Sequence, residues 1–454
     1  MTGVVPAAGA RQVPGSVPVA SRTASARILA SVVAPILARG VILRRPRVVA
    51  LAERLDADRR AVRALQRLRR RYGPGPVRLR LPARELAVML SADHVREVLE
   101  RSPETFVVSN LEKRGALSHF QPDGLLVSDG ELRAERRRFN EAVLDTARPV
   151  HHLADAIVAT VREEGQHVAE AADGAGVLTW DDFIVAWWRM VRRIVLGDAA
   201  ADDATLTDEL GTLRAAANWS YLRPRRTAVR RRFMERLRAH VDRAEPGSLA
   251  ALVAGTPASA ATAPVGQVPQ WLFAFDAAGI ATFRALALLA AHPAAAEEAR
   301  REAEDAAADG PRVLPHLRAC LLESVRLWPT TPVILRDTRT ETRWGSGTLP
   351  AGTAVLIIAA LFHRDDETFP FADRFAPELW ADGGRPPEAA LVPFSAGPAE
   401  CAGRNLVLLV ASTMLAALLE RHRYRLQPPG RLGPDRPLPG TLDPFRLRFV
   451  PQPD

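Results

Sequence analysis

The sequence contains very little cysteine: Cys320 and Cys401 are the 2 cysteines among its 454 residues. Two cysteines cannot build a disulfide framework or a four-cysteine zinc site, so both kinds of stabilised domain are excluded. They leave room for one thiolate that carries out chemistry. Because 47% of the residues are hydrophobic and 25% are charged, the composition also excludes a wholly disordered chain.

Lysine is nearly absent too, since Lys113 is its single occurrence and almost all of the positive charge is arginine. The formal net charge of +9 is small and is spread along the whole chain. The basic run 225–232 alternates with helix-forming apolar residues and contains no recognition motif. We therefore expect no nucleic-acid partner.

A segment with the ~20 apolar residues that a membrane-spanning helix needs is not evident. The apolar stretch 28–38 contains Pro35 and is flanked by Arg27 and Arg39. We interpret it as a core-packing helix at the domain edge, and whether it touches a membrane stays open. We expect no transmembrane anchor and a cytoplasmic location. Residues 1–26, which show no sustained period, are predicted to form a disordered arm.

The hydrophobic pattern predicts one large domain over residues 27–454, mainly α-helical with small β-sheets, an α+β class. Helical periodicity dominates for about two hundred residues after Asp129 and includes a long apolar helix over 270–291. Residues 106–126 lack periodicity and are rich in turn formers, which predicts a long irregular loop. Long loops inside compact domains are usually functional.

Cys401 lies directly before a strongly helical run, where the helix N-terminus favours a thiolate. Gly397 and Gly403 flank the sulfur at places where a bulky planar ligand needs close approach to the backbone. Phe394 is positioned to lie against such a ligand. The alternative from these residues alone is a buried structural cysteine at a loop–helix junction.

The spacing of Phe394, Gly397, Cys401 and Gly403 resembles the haem-binding loop of the cytochrome P450 family. Three further segments resemble the family's motifs in the same order along the chain. They are the ExxR pair Glu323 and Arg326, the meander around Arg374, and the oxygen-binding stretch from Ala278 to Thr282.

This resemblance implies a P450-like fold and haem b, iron protoporphyrin IX, with Cys401 as the ligand of the iron. It implies a structural network of Glu323, Arg326 and Arg374 that holds the cysteine loop. The haem propionates would be held by the three arginines that match the family's positions: Arg133, Arg137 and Arg336. Ala399 stands where the family often has a further cationic partner.

By the same resemblance Thr282 and Gly279 are the catalytic positions beside the bound oxygen. The acidic residue that usually precedes the threonine is replaced by Ala281, and Asp276 lies six residues before Thr282, off its helical face. How protons would reach the oxygen is left open. Substrate contacts are expected in 106–126, 219–237, 275–278, 331–334 and 439–442, with these candidate pocket residues: Phe275, Ala278, Val333 and Thr441.

The leading hypothesis is a soluble, monomeric haem-thiolate monooxygenase of the bacterial type. It would use O₂ to oxidise a small lipophilic substrate, with electrons from a separate ferredoxin or flavodoxin. Arginines near the cysteine, such as Arg404, would suit an acidic redox partner. The alternatives are an atypical enzyme of the same fold, peroxide-driven or non-oxygenating, and a haem- or ligand-binding protein without turnover.

Overall fold

A computed structural model describes residues 15–81, 84–381 and 390–452, except for the side chains of 307–309. Its helices are α1 Arg22–Ile28, α2 Ala34–Arg39, α3 Pro46–Arg54, α4 Ala57–Tyr72, α5 Ala92–Glu100, α6 Leu111–Leu117, α7 Gly130–Val143, α8 Ala154–Ala175, α9 Trp180–Leu196, α10 Ala204–Ala217, α11 Thr227–Arg243, α12 Leu249–Gly255, α13 Pro264–Ala291, α14 Pro293–Asp309, α15 Pro315–Leu327, α16 Ala359–His363 and α17 Arg404–Arg421. Its strands are β1 Val77–Leu79, β2 Leu86–Val88, β3 Phe106–Val107, β4 Leu178–Thr179, β5 Val333–Thr338, β6 Thr342–Trp344, β7 Gly347–Leu349, β8 Ala354–Ile358, β9 Arg423–Gln427 and β10 Arg448–Gln452.

The sheets are small and lie at the edge of the helices. The largest has the strand order β1-β2-β8-β5-β3, and Leu335 of β5 faces Leu356 of β8 in its antiparallel register. β2 pairs with β8 in parallel, while β4, β10 and β9 form a second, antiparallel sheet. A mainly helical α+β architecture, as predicted, is confirmed.

The main hydrophobic core surrounds α13, which is 28 residues long and packs against α9, α15 and α17. Its neighbour α9 begins at a capping box, in which the Thr179 hydroxyl accepts from the Asp182 N–H and the Asp182 carboxylate accepts from the Thr179 N–H. The helix ends at Gly197, whose φ of 98° suits glycine. The capping box and Gly197 set the first and last residues of α9, which packs against α13.

Within the described residues, one helical stretch, Ala260–Ala291, is long and apolar enough to cross a membrane. Of its most apolar window, 78% is buried inside the protein. This helix is therefore apolar because it is part of the hydrophobic core.

The N-terminal prediction needs a correction for residues 15–26, while residues 1–14 lie outside the described part of the chain. Val17 and Ala20 are fully buried, and the Val17 N–H donates to the Thr348 carbonyl at the edge of β7. The Ala20 N–H donates to the Arg78 carbonyl of β1. The segment is thus part of the fold, because its backbone pairs with two strands and its apolar side chains enter the second core.

The predicted irregular loop 106–126 also differs, because it contains strand β3 and helix α6. Asn110 caps this helix by accepting a hydrogen bond from the Lys113 N–H at 3.0 Å. A helix of about two turns has too few apolar repeats to show periodicity in sequence.

Candidate active site

Cys401 lies in a tight loop directly before α17. Its backbone N–H donates to the Phe394 carbonyl at 3.0 Å, which closes the loop, and the Gly403 N–H donates to the sulfur. Burial raises the pKa of the Cys401 thiol, while the Gly403 N–H and the charge of Arg137 oppose that rise. The loop therefore supplies a donor for a thiolate but leaves the protein by itself with a protonated sulfur.

Gly397 is the glycine that the loop requires for its conformation. Its φ is +67°, and a Cβ there would lie 2.4 Å from the Leu99 carbonyl oxygen at the end of α5. A Cβ at Gly403 would lie 3.8 Å from its nearest neighbour, Leu144 Cδ1, which is an ordinary contact. Gly397 thus seats the loop on α5, whereas the described protein atoms leave space beside Gly403.

The end of α7 and the turn after it hold the cysteine loop from the other side. Arg137 donates from Nη1 to the Glu400 carbonyl, and the Thr146 hydroxyl donates to the Ala402 carbonyl at 2.7 Å. Arg137 also pairs with Glu141 on its own helix. The structure therefore places the Arg137 guanidinium on the backbone next to Cys401, where it positions the loop.

Cys320 lies outside the cysteine loop and, unlike the half-buried Cys401, exposes no surface. It is fully buried in α15, and burial raises the pKa of its thiol well above the ordinary value. Its sulfur lies 3.5 Å from His316 Nε2. It is a core residue.

Glu323 and Arg326 form a fully buried ion pair on α15. Arg326 donates from Nε and Nη2 to the two carboxylate oxygens at 2.6 and 2.8 Å. The carboxylate also accepts from the Ala376 N–H at 2.9 Å and from Trp380 Nε1 at 2.8 Å. A buried pair is favourable only when such extra hydrogen bonds satisfy it, and this one is well satisfied.

The predicted role of the Arg374 side chain needs a correction. Arg374 is exposed, and it joins the network through its backbone carbonyl, which accepts from Arg326 Nη2 at 2.7 Å. The third side chain in the network is Trp380, which the sequence motifs do not indicate. Its spacing from Glu323 follows no short pattern, so only the folded meander could reveal it.

Three cations form a second cluster, which we call the cation cluster: Arg133 and Arg336, which are buried, and Lys113, which is half-buried. Lys113 Nζ and Arg336 Nη1 both donate to the Leu335 carbonyl, at 3.0 and 2.9 Å. Arg133 and Arg336 are each 4% exposed, and Arg133 donates to the Leu125 carbonyl at 3.2 Å. Lys113 was not predicted from sequence, although its being the single lysine could have drawn attention to it.

The cation cluster has no carboxylate within 4.0 Å among the residues that the structure describes, since its members make only bonds to carbonyls and to Ser102. The nearby carboxylates Asp337 and Glu112 are paired with Arg84. Burial and the neighbouring arginines lower the pKa of Lys113 well below its usual range, and they lower the pKa of Arg336 to about 10. Buried charges without partners are costly, so an anion would stabilise the cluster, and none of the described residues supplies one.

On α13 the Thr282 hydroxyl is buried and donates to the Ala278 carbonyl at 2.8 Å. A Cβ at Gly279 would lie 2.9 Å from the indole nitrogen of Trp187, so this glycine allows α9 to pack closely against α13. The small size of Gly279 therefore has a structural reason besides the predicted one beside oxygen. Ala281 brings no acid, and its carbonyl accepts from the Ser324 hydroxyl.

Asp276 is not available to replace the missing acid. Its carboxylate accepts from Arg214 Nη2 at 2.6 Å, and Arg214 is itself 2% exposed. α13 is a regular α-helix throughout, so no bulge turns Asp276 toward Thr282. The pair links α13 to α10.

The candidate pocket residues occupy different environments. Phe275 is buried against α9, and its carbonyl accepts from Trp187 Nε1 at 2.9 Å. Thr441 is buried and its hydroxyl donates to Asp58 at 2.9 Å, so that hydroxyl is already engaged. Val333 is half-buried at the start of β5, and Ala278 is buried beside Thr282.

Comparison with known proteins finds a family match for the C-terminal part of the chain. A family model described as Cytochrome P450 matches residues 274–442, which contain α15, the meander and the cysteine loop. This part of the chain is similar to the cytochrome P450 family. P450s of this family bind haem b through a cysteine thiolate.

Individual relatives match the chain over part of their length. A cyclooctat-9-en-7-ol 5-monooxygenase of Streptomyces melanosporofaciens is 37% identical over 131 residues, 28% of this chain and 26% of the relative. Cytochrome P450 714C3 of Oryza sativa subsp. japonica is 34% identical over 164 residues, 32% of each chain. The chain thus matches about a quarter to a third of the length of these curated relatives.

The fold extends the likeness over most of the chain. The structure of a retinoic-acid-bound cyanobacterial CYP120A1 superimposes with a TM-score of 0.68 at 18% identity, covering 85% of this chain and 93% of the other. The structure of CYP102L1 also has a TM-score of 0.68, at 19% identity, covering 86% and 98%. At these identities the likeness concerns the fold.

The residues of this chain fit haem b. A thiol with a backbone donor lies at the head of α17, where Cys401 would bind the iron. The cation cluster lacks a counter-anion among the described residues, and haem carries two propionates that would supply it. Lys113, Arg133 and Arg336 would therefore hold the propionates, while Arg137 holds the loop.

Replacing Glu323 by Ala is expected to abolish haem incorporation and to lower the free energy of unfolding by about 3–5 kcal/mol, because Arg326 is left as an unpaired buried charge. The matched variant Arg374→Ala should stay within about 0.5 kcal/mol of the wild type, because its side chain is exposed. Denaturant unfolding and the haem absorbance of the purified proteins measure both effects. An Arg374→Ala protein as damaged as Glu323→Ala would contradict the corrected network.

Replacing Lys113 by Met is expected to stabilise the haem-free protein and to weaken its hold on haem. A hydrogen bond to a charged group contributes about 1.5–3 kcal/mol, so haem should dissociate at least about ten-fold faster. The unfolded chain binds a proton at Lys113 up to about its ordinary pKa of 10.5, whereas the folded chain releases it earlier. The haem-free wild type should therefore gain stability over Lys113→Met as pH rises toward 10.5.

Haem transfer to an apo-globin and unfolding of the haem-free proteins at several pH values measure these changes. Lys113→Arg keeps the charge and serves as the control. Unchanged haem dissociation in Lys113→Met would exclude Lys113 from the propionate site.

Proposed function

We propose that this protein is a haem-thiolate monooxygenase that uses O₂ and two electrons from a separate redox partner to oxidise a small lipophilic substrate. The observation that carries the proposal is the pairing of the Cys401 loop with a cation cluster that lacks an anion among the described residues. The names of two similar proteins support it: one is a monooxygenase of cyclooctat-9-en-7-ol, and one structure holds retinoic acid. Both of those molecules are largely hydrocarbon.

The chain's own residues would do three things in this reaction. Cys401 would give up its proton when it binds the iron, with the Gly403 N–H holding the negative sulfur. The cation cluster would fix the orientation of the cofactor, and the Glu323–Arg326 pair would hold the meander that carries the loop. When bound, the haem supplies the redox chemistry that reduces and cleaves dioxygen, which a thiolate ligand favours.

We propose that Thr282 takes part in proton transfer beside the bound dioxygen. Its hydroxyl donates to the Ala278 carbonyl, which leaves the oxygen lone pairs free to accept from water. With Ala281 in the acid position and Asp276 bound to Arg214, protons would reach Thr282 through water or a substrate hydroxyl. The same observation favours a second candidate function, a peroxide-driven enzyme, because peroxide brings its own two protons.

We further propose that the redox partner docks on the face around the cysteine loop and is a ferredoxin or flavodoxin. Arg148, whose side chain is 62% exposed, follows the turn whose Thr146 hydroxyl bonds to the Ala402 carbonyl. Arg404 begins α17 directly after the cysteine loop. An acidic partner would complement these charges. One domain over 27–454, extended by residues 15–26, a monomeric state and a cytoplasmic location complete the proposal.

Carbon monoxide added to the reduced protein is expected to produce the strongly red-shifted Soret band of thiolate-ligated haem. Cys401→Ser should lose this band, because the thiolate is removed. The matched variant Cys320→Ser should keep it, because Cys320 is a core residue. An ordinary haem band in the wild type, or a red-shifted band that survives Cys401→Ser, would reject the assignment.

Thr282→Ala is expected to increase the share of electrons lost as hydrogen peroxide several-fold, since no other hydroxyl or acid is described at this turn of α13. Thr282→Ser keeps a hydroxyl and should stay near the wild type. Asp276→Asn should leave the coupling unchanged, because that carboxylate is bound to Arg214. NADH or NADPH consumption, supplied through a surrogate ferredoxin and its reductase, is compared with peroxide formed. Equal peroxide release in all four proteins would favour the peroxide-driven candidate.

A further inference from the structure

The short turn 219–222, between α10 and α11, carries three large apolar side chains at the protein surface. Leu222 is 83% exposed, Tyr221 is 60% exposed and Trp219 is 41% exposed. The other seven of the 8 tryptophans are buried or half-buried, so Trp219 is the exception. A single exposed leucine is ordinary, but three such side chains within four residues concentrate apolar area at one place.

Two neighbouring segments add to this apolar surface. The Tyr221 hydroxyl donates to the carbonyl of Leu111, which is itself exposed, at 3.2 Å. The Ile42 N–H donates to Asn218 Oδ1 at 2.9 Å, which places the exposed Val41 near the start of the turn. We call the five exposed residues the apolar face: Val41, Leu111, Trp219, Tyr221 and Leu222.

Arginines flank the apolar face. Arg45 and Arg223 both lie over the Trp219 ring, with the guanidinium carbons 5.0 and 5.1 Å from a ring centre. Residues 219–232 contain six arginines and no acidic residue. Two of the six are paired, Arg231 with Glu235 and Arg232 with Glu209. The other four have no carboxylate within 4.0 Å among the described residues: Arg223, Arg225, Arg226 and Arg230.

The combination of exposed apolar side chains with these arginines selects among possible binding partners. A nucleic acid would neutralise the arginines but would leave Leu222 in water. A second copy of the chain, docked by two-fold symmetry, would bring arginines against arginines. An anionic bilayer satisfies both features. Its acyl boundary accepts apolar side chains, its headgroup level suits Trp and Tyr, and its phosphates attract arginine.

We propose that the apolar face and the arginines of 223–230 dock on the surface of an anionic lipid bilayer, with the turn 219–222 entering the headgroup region. Docking of this kind is peripheral, because it uses side chains of one turn and its neighbours and no membrane-spanning segment. It does not depend on the proposed monooxygenase function.

Sedimentation of the haem-loaded full chain with sucrose-filled vesicles tests the proposal. The vesicles contain either phosphatidylcholine alone or an equal mixture with phosphatidylglycerol, which is anionic. The wild type is expected to bind the mixed vesicles about ten-fold or more tightly. Raising the salt concentration should weaken this binding, because salt screens the charges.

Trp219 reports independently on where the turn lies. Mixed vesicles whose acyl chains carry bromine are expected to quench part of the tryptophan emission of the wild type. Trp219→Phe should lose most of that quenching, because the other tryptophans are buried or half-buried. Quenching that is unchanged in Trp219→Phe would show that the turn does not enter the bilayer and would contradict the proposal.

Two variants separate the apolar from the charged contribution to binding. Leu222→Ser is expected to weaken binding to the mixed vesicles about five-fold, because one apolar side chain stays in water. The double variant Arg225→Gln with Arg226→Gln is expected to weaken it about ten-fold or more, since one arginine near an anionic surface contributes about five-fold.

Matched controls remove the same kinds of side chain elsewhere. Val185→Ser removes an exposed apolar side chain of α9, and Arg425→Gln with Arg448→Gln removes two exposed charges of β9 and β10. Both should bind the mixed vesicles as the wild type does. Every substituted side chain in these variants is exposed, so each protein should keep its carbon monoxide band.

Equal binding of the wild type to both kinds of vesicle, or binding to neither, overturns the inference. Binding that the Leu222 and arginine variants retain in full also overturns it. A dimer that Leu222→Ser dissociates, in a protein that ignores vesicles, assigns the apolar face to a second copy of the chain instead. The carbon monoxide band is recorded in each case, so the proposed function stands or fails separately.

Discussion

The buried ion pair of Glu323 and Arg326 is the interaction on which the position of the cysteine depends. Arg326 donates to the His363 carbonyl at 2.9 Å, and the Val392 N–H donates to His363 Nε2 at 3.0 Å. Burial and the charge of Arg326 lower the pKa of His363 to about 3, so its ring stays neutral and can accept. The Ser395 N–H then donates to the Val392 carbonyl, at the start of the loop that Cys401 closes. The charge pair on α15 is thus linked through His363 to the segment that leads into the Cys401 loop.

In the cation cluster, unlike in the ion pair, the charges lack partners of opposite charge among the described residues. The ion pair finds all of its partners within the protein, so it stabilises the fold with or without a cofactor. Lys113, Arg133 and Arg336 find only neutral partners among the described residues, so their poorly solvated charges destabilise the chain until an anion binds. Binding of haem as proposed would therefore be coupled to folding through electrostatics as well as through the iron–sulfur bond. The three cations come from α6, α7 and β5, one from each element.

A feature could be predicted from sequence when the residues that produce it lie close together along the chain. The cysteine loop, the ExxR pair and the long apolar helix are encoded in short spacings, and the structure places them as those spacings imply. Trp380 and Lys113 contact partners that only the fold brings close to them, so no sequence spacing predicts their roles. Arg374 shows the converse: it occupies the position its motif predicts, yet its side chain faces solvent and only its carbonyl takes part. Residues 15–26 lack periodicity because they pair with strand edges, and α6 is too short to show a repeat.

Ala281 leaves α13 without an acid beside Thr282. An acid there would lie in the buried core of the helix, where a carboxylate needs a partner to stay charged. This chain instead places its acid at Asp276 and gives it a partner, Arg214, which also donates to the Ile42 carbonyl. The carboxylate thereby ties α13 to α10 and to the N-terminal segment and is withdrawn from proton chemistry.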